Sequence, residues 1–202
     1  MNSIKSNGRT ILGTFREYTQ SDFHHSPFIV FWETTQACDL VCKHCRASAQ
    51  PNRHPEEIQG DLCIELIQQL AQFPYKPTLI LTGGDPMKRE DVFDIIRWGT
   101  DAGLSMAMTP SVTPLLTDEV LYQLKKAGLK RIAFSLDGAD SSTHDGIRGI
   151  SGSFERTIQM IKSANRNGIP IQINTTISKR NFHQVNEIAD FISHLNITLW
   201  SV

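Results

Sequence analysis

The chain has 202 residues and is 40% hydrophobic, enough for one sizeable α/β core and too apolar for a disordered segment. Its 20 basic and 21 acidic residues leave a formal charge of −1, which argues against nucleic acid or an anionic membrane as a partner. No apolar run approaches the roughly 20 residues that span a bilayer.

Residues 1–27 alternate polar and apolar side chains too often for a secretory leader, so they read as an N-terminal extension of a soluble cytoplasmic protein. From residue 28 one theme repeats to the end: a short β-rich run, a loop, then an amphipathic stretch of helical length. The first run is 28–34 (FIVFWET), and three cysteines follow it at once: Cys38, Cys42 and Cys45. A helical pattern near 56–73 contains the fourth cysteine, Cys63, on its apolar side, where a lone thiol behaves as a small hydrophobe. The second run, 78–82 (TLILT), leads into Gly83-Gly84-Asp85-Pro86 and a helical pattern near 88–102. A third run, 104–109, precedes a helix over 117–127 that opens on Thr117-Asp118-Glu119 and closes at Gly128. The fourth run, 130–136 (KRIAFSL), is followed by a helix over 153–166, opening at Ser153 and ending near Asn167-Gly168. Runs at 170–176 and 197–202 flank the last helical pattern, 181–194.

Strands separated by single helices pair in parallel through right-handed crossovers, so residues 28–202 form one α/β domain of βα units, a barrel or a doubly wound sheet. The sixth run has no covering helix after it. The fold is therefore expected to be truncated in or just after its sixth strand. Functional groups in βα barrels gather at the C-terminal ends of the strands. The unusual residues fall there: the cysteine triplet, the Gly-Gly-Asp-Pro loop, Thr109 to Ser111, Ser135 to Gly138, and Asn174 to Thr176.

Three cysteines within eight residues are the opposite of a disulfide framework, which spreads its cysteines along the chain. Cys38-x3-Cys42-x2-Cys45 can grip three corners of a cubane cluster and leave the fourth iron open to a small molecule. The alternative is a non-catalytic barrel module holding zinc, which wants four closed ligands. His44, between two of the cysteines, is poorly placed to complete a tetrahedron. Trp32, Trp98 and Trp200 read as packing, His24-His25 have no evident partner, and Lys125-Lys126 with Lys130-Arg131 read as a solvated helix end.

C-x3-C-x2-C after a first strand and Gly-Gly-acid-Pro after a second resemble the radical S-adenosylmethionine (SAM) superfamily. Ser135-Leu136-Asp137-Gly138, His144-Asp145-x-x-Arg148-Gly149-x-x-Gly152-Ser153-Phe154 and the Cys45-Arg46-Ala47 continuation are similar to one branch of it. That branch holds cofactor-maturation and peptide-modifying enzymes, including haem-pathway and pyrroloquinoline quinone synthesis relatives. The resemblance implies a partial (β/α)6 barrel and two cofactors, a [4Fe–4S] cluster on Cys38, Cys42 and Cys45, and SAM. It also implies an oxidoreductase in which reductive cleavage of SAM gives a 5′-deoxyadenosyl radical that abstracts hydrogen from a small-molecule or peptide substrate. A reductant such as ferredoxin or flavodoxin would supply the electron. By the same resemblance His44 stands where an aromatic residue usually meets the adenine. Gly83 and Gly84 would let backbone approach the SAM amino group, with Asp85, where Glu is commoner, beside it. Ser135 and Arg148 correspond to contacts with the SAM ribose or carboxylate, and Asn174 would reach SAM or substrate. Two purely structural readings stand beside these: an Arg148–Asp145 ion pair and a local Asx turn at Asp137.

Overall fold

The computed structural model describes residues 5–6, 9–10 and 19–202. Most of the expected N-terminal extension therefore lies outside the described residues, apart from an antiparallel pairing of Lys5–Ser6 with Arg9–Thr10 and helix α1 (Gln20–His25). The sequence reading missed α1. Its signal is a capping box, in which Thr19 N donates to Asp22 Oδ2 at 2.7 Å.

Six strands form one all-parallel sheet: β1 (Ile29–Thr35), β2 (Thr78–Gly83), β3 (Ser105–Met108), β4 (Arg131–Ser135), β5 (Ile171–Asn174) and β6 (Leu199–Ser201). They lie in sequence order with β1 and β6 at the edges, which is the wall of an incomplete barrel. Helices α2 (Asp61–Ala71), α3 (Val92–Asp101), α4 (Asp118–Ala127), α6 (Ser153–Arg166) and α7 (Val185–Ser193) alternate with the strands. Side chains alternate across a strand, so Leu79, Leu81, Met106, Met108, Ile132, Phe134, Ile171 and Ile173 all face the helices and are buried with Ile67, Ile95, Leu124, Ile161 and Ile188. The opposite face carries Phe31, Ile80 and Ala107 in one register row and Ala133, Gln172 and Leu199 in another. Among the described residues no helix covers that face, and Phe31 and Leu199 stay 64% and 43% exposed. Among the described residues no helix is long and apolar enough to cross a membrane.

Helix ends follow local chemistry. Thr117 Oγ1 accepts from Val120 N at 3.2 Å, and Gly128 takes the left-handed conformation that closes α4. Ser153 is the first residue inside α6, whose N-cap is Gly152. An eight-residue helix that the sequence reading did not anticipate, α5 (Ser141–Arg148), fills the segment after β4, capped by Asp140 Oδ1 accepting from Thr143 N at 2.8 Å. The pattern near 88–102 divides into a 3-10 turn, Pro86–Lys88, and α3.

The helix expected from residue 56 begins only at Asp61. Gly60, with φ +54°, stands at the N-cap, and in the segment before it the Glu57 carboxylate pins the chain back onto the end of β1. Glu57 Oε1 accepts from Thr35 Oγ1 at 2.7 Å, Gln36 N at 3.0 Å and His54 N at 3.1 Å, and Oε2 accepts from Arg53 Nε at 2.8 Å. Burial alone would push this carboxyl up, but the hydrogen bonds from Arg53, Thr35, Gln36 and His54 outweigh it and bring the pKa down from 4.5 to about 2. A carboxyl held below its unfolded pKa stabilises the fold above that value, and the stabilisation is lost as pH falls toward the folded one. Glu57→Gln is expected to lower the unfolding free energy at neutral pH by about 1–3 kcal/mol. It should also flatten the acid limb between pH 4.5 and about 2, as read from urea unfolding across pH. Parallel acid limbs in the two proteins would contradict this.

Candidate functional site

The loop after β1 is closed at its base, at the amide of its first cysteine. Cys38 N donates to Gln50 O and Gln50 N to Gln36 O, both at 2.8 Å, so residues 37 and 50 are bridged. Midway, Lys43 N donates to Ile147 O at 3.0 Å, tying the loop to α5. The β2 loop supports it from the other side, with Gly84 N donating to Thr35 O at 2.8 Å and Asp85 N to Ala37 O at 2.7 Å. Such backbone proximity requires glycine. Gly83 has φ +116°, and a Cβ on Gly84 would collide with Ala37 O and Gln36 O. The close approach these glycines permit is thus first to the chain's own cysteine loop, although both also line the cavity described next.

One cavity of about 400 Å³ opens at the C-terminal ends of the strands, within the range of small-molecule sites. Cys38, Cys42 and Cys45 line it together with His44, Gly83, Gly84, Ser135, Arg148 and Asn174. All three thiols are free, and each sulfur meets a donor: Leu40 N to Cys38 Sγ at 3.4 Å, Arg148 Nη1 to Cys42 Sγ at 3.5 Å, and Ala49 N to Cys45 Sγ at 3.4 Å. Cys38 Sγ also lies 3.2 Å from Ser111 Oγ. Burial pushes the Cys38 thiol up, against the Ser111 and Leu40 hydrogen bonds. Three sulfurs on one loop, each facing a donor and all bordering one cavity, suit thiolates on three corners of a cluster. Among the described residues no three His, Cys, Asp or Glu side chains, the three cysteines included, are arranged to hold a single metal ion, and the zinc alternative finds no support. Cys63 is buried in α2, with its Sγ near Ile58 O and Arg89, and it does not line the cavity.

The remaining residues divide. Ser135 and Asn174 are register partners on β4 and β5, and both line the cavity. His44 Nε2 lies 3.7 Å from Asp137 Oδ2, while its buried Nδ1 has no hydrogen-bond partner among the described residues, a polar atom that a bound group would satisfy. Burial lowers its pKa, Asp137 opposes that, and Arg148 adds to it. Asp85 is placed differently from the expectation. It is fully buried and absent from the cavity wall; its Oδ1 accepts from Met87 N at 3.1 Å and Ser111 N at 3.2 Å, and its Oδ2 from Thr113 Oγ1 at 3.0 Å. Burial raises its pKa against those three hydrogen bonds. A carboxylate committed to joining the β2 and β3 loops has no oxygen turned toward a ligand's ammonium.

Arg148 does not pair with Asp145. Its Nη2 lies 2.8 Å from Asp137 Oδ2, and Asp145 instead caps α6, accepting from Gly152 N at 2.6 Å, Phe154 N at 2.8 Å and Ser153 Oγ at 2.9 Å. Nor does Asp137 make a local Asx turn; its Oδ1 accepts from Thr176 N at 2.9 Å, across the sheet. His144, which the sequence reading left without a role, lines the cavity and accepts from Asp137 N at 3.1 Å through Nδ1. Burial chiefly, and Arg148 after it, bring its pKa down to about 4, so it stays neutral at physiological pH.

Against known proteins, residues 32–192 match the family model described as the radical SAM superfamily. The chain is 39% identical over 178 residues to an AdoMet-dependent heme synthase of Methanosarcina barkeri, covering 88% of this chain and 50% of that protein. It is 37% identical to the AdoMet-dependent heme synthase of Nitratidesulfovibrio vulgaris, over 86% of this chain and 47% of that one. Among solved structures, Streptococcus suis SuiB bound to S-adenosylmethionine superposes with a TM-score of 0.71 at 20% identity, over 87% of this chain and 40% of that chain; this likeness concerns the fold. The chain thus spans about half the length of the curated relatives it matches. It belongs to the radical SAM superfamily, whose cofactors are a [4Fe–4S] cluster and SAM.

Gly84→Val tests the packing of the two loops. The added side chain must displace Ala37 and Gln36 backbone, so a loss of about 1–3 kcal/mol is expected in urea unfolding before any cofactor is added. An unchanged midpoint would show that the loops are not held together this closely.

Proposed function

We propose that this member of the radical SAM superfamily is the core of an enzyme acting in cofactor maturation. Residues 28–202 form that core, in which Cys38, Cys42 and Cys45 hold a [4Fe–4S] cluster and the adjoining cavity receives SAM. The observation that carries the proposal is the set of three donor-facing thiols on the wall of one cavity. The chemistry the two cofactors supply when bound is one-electron cleavage of the SAM sulfonium to a 5′-deoxyadenosyl radical, which takes a hydrogen atom from substrate.

The chain's own part is to bind, orient and shield. Ser135 and Asn174 offer neutral hydrogen-bonding groups at the ends of adjacent strands, suited to the ribose of SAM. His44 presents a ring for the adenine and an unpaired Nδ1 for a donor on it. Arg148 presents a guanidinium at the cavity wall, and its remaining N–H groups suit the SAM carboxylate by a charge-assisted hydrogen bond. Gly83 and Gly84 bring backbone to the cavity edge, where the SAM amino group would be met by carbonyls, Asp85 being engaged elsewhere. The names of the most similar relatives favour a small molecule of a cofactor pathway over a peptide as substrate. A low-potential donor such as ferredoxin or flavodoxin supplies the electron, and a reducing cytoplasm suits three free thiols.

Anaerobic reconstitution followed by iron analysis tests the ligand set. Cys38→Ala, Cys42→Ala and Cys45→Ala are each expected to lose most of the cluster, and Cys63→Ala to keep it; the reverse pattern for Cys63 and Cys42 would overturn the assignment. Calorimetry on the reconstituted chain tests the SAM contact. Arg148→Met should weaken SAM binding about tenfold or more, the size of a lost hydrogen bond to a charged group. Unchanged affinity would remove Arg148 from the SAM site.

A further inference from the structure

Buried Asp137 and the partly exposed Arg148 form a pair whose geometry the proposed role of Arg148 does not explain. Asp137 is fully buried, and its backbone is pinned on both sides: its N donates to His144 Nδ1 at 3.1 Å and its O accepts from Asn181 Nδ2 at 3.0 Å. With Oδ1 held by Thr176 N, only Oδ2 remains, and it has no aligned hydrogen-bond donor among the described residues. What it has is the charge of Arg148, whose Nη2 lies at 2.8 Å; the His44 ring is farther off, with Nε2 at 3.7 Å. The other arm of the same guanidinium, Nη1, reaches Cys42 Sγ at 3.5 Å. One rigidly placed carboxylate therefore sets a fork whose second prong touches a proposed cluster ligand.

We propose that Asp137 is a positioning residue that holds Arg148 against Cys42 Sγ and thereby raises the reduction potential of the cluster, an inference that rests on the function proposed above. A reduced cluster carries one more negative charge than an oxidised one. A guanidinium donor on a ligand sulfur favours the reduced state, and a bare carboxylate nearby favours the oxidised state. As isolated charges Asp137 and Arg148 act in opposite directions. Only if Asp137 works through Arg148 does losing either one move the potential the same way.

The test uses the 202-residue chain, reconstituted anaerobically with iron and sulfide and kept free of SAM. The cluster's midpoint is read by redox titration with visible and paramagnetic-resonance detection. Arg148→Met is expected to lower the equilibrium constant for reduction about tenfold, ~59 mV for a one-electron couple. Asp137→Asn should also lower it, because the amide oxygen keeps the Thr176 N–H while the amide nitrogen turns toward Arg148 and releases it. In the Arg148→Met background Asp137→Asn should no longer lower it, the signature of coupled residues. Arg148→Lys, with its charge kept but no fork to span both partners, should fall below wild type as well and serves if Asp137→Asn does not fold. A rise in midpoint for Asp137→Asn, or equal shifts in both backgrounds, would show that Asp137 acts as a bare charge and overturn the proposal. Clustered variants whose midpoints do not move overturn it alone; a wild-type chain that takes up no cluster overturns the function with it.

Discussion

Two backbone hydrogen bonds, Gly84 N to Thr35 O and Asp85 N to Ala37 O, are the contact on which the site depends. They continue the β1–β2 pairing beyond the regular sheet, past the register shift near Thr35, and so fix the direction in which the cysteine loop leaves β1. Glycine at position 84 is the condition for it, since a Cβ there would occupy the place of Ala37 O. Asp85 extends the same join to the third strand by holding Ser111 N and Thr113 Oγ1, and Ser111 Oγ then stands beside Cys38 Sγ. Three loops are thus locked in series, and the sulfur positions inherit the rigidity of the sheet.

On the other flank the lock is ionic. Burying Asp137 without compensation would cost several kcal/mol, so the carboxylate must be met, and Arg148 meets it. His144, held neutral, accepts the Asp137 amide without adding a charge to a region already containing one. The result places an anion and two imidazoles around Arg148, whose Nη1 meets Cys42 Sγ.

Much of the fold was legible because it rests on local rules. Short β-rich apolar runs gave the six strands within a few residues, and Thr117 and Gly128 gave the ends of α4. α5 was not anticipated because it is short and polar along most of its length, although Asp140 three residues before Thr143 is a cap signal that points to it. The triplet Cys38, Cys42 and Cys45 was legible from spacing alone, and the structure brings it to the cavity with His44, Ser135, Arg148 and Asn174. The partners of the charged residues were not. Asp145 is nearest to Arg148 in sequence, but its carboxylate satisfies the free N–H groups opening α6, leaving Arg148 to a residue on β4's loop. Asp85 looked available to a ligand for a similar reason: its hydrogen bonds to Ser111 and Thr113 cross to the loop after β3, more than twenty residues away.

The bridge between residues 37 and 50, together with the Glu57 carboxylate on Thr35 and Gln36, bears on how readily the cysteines can be used. Bringing the ends of a flexible segment together has an entropic cost that grows as the logarithm of its length. Here the fold closes that ring through main-chain and carboxylate hydrogen bonds near its base, away from the sulfurs. The cluster proposed for this loop would then have only the short arcs between neighbouring thiols left to immobilise, so more of the metal–thiolate bond energy would remain as affinity.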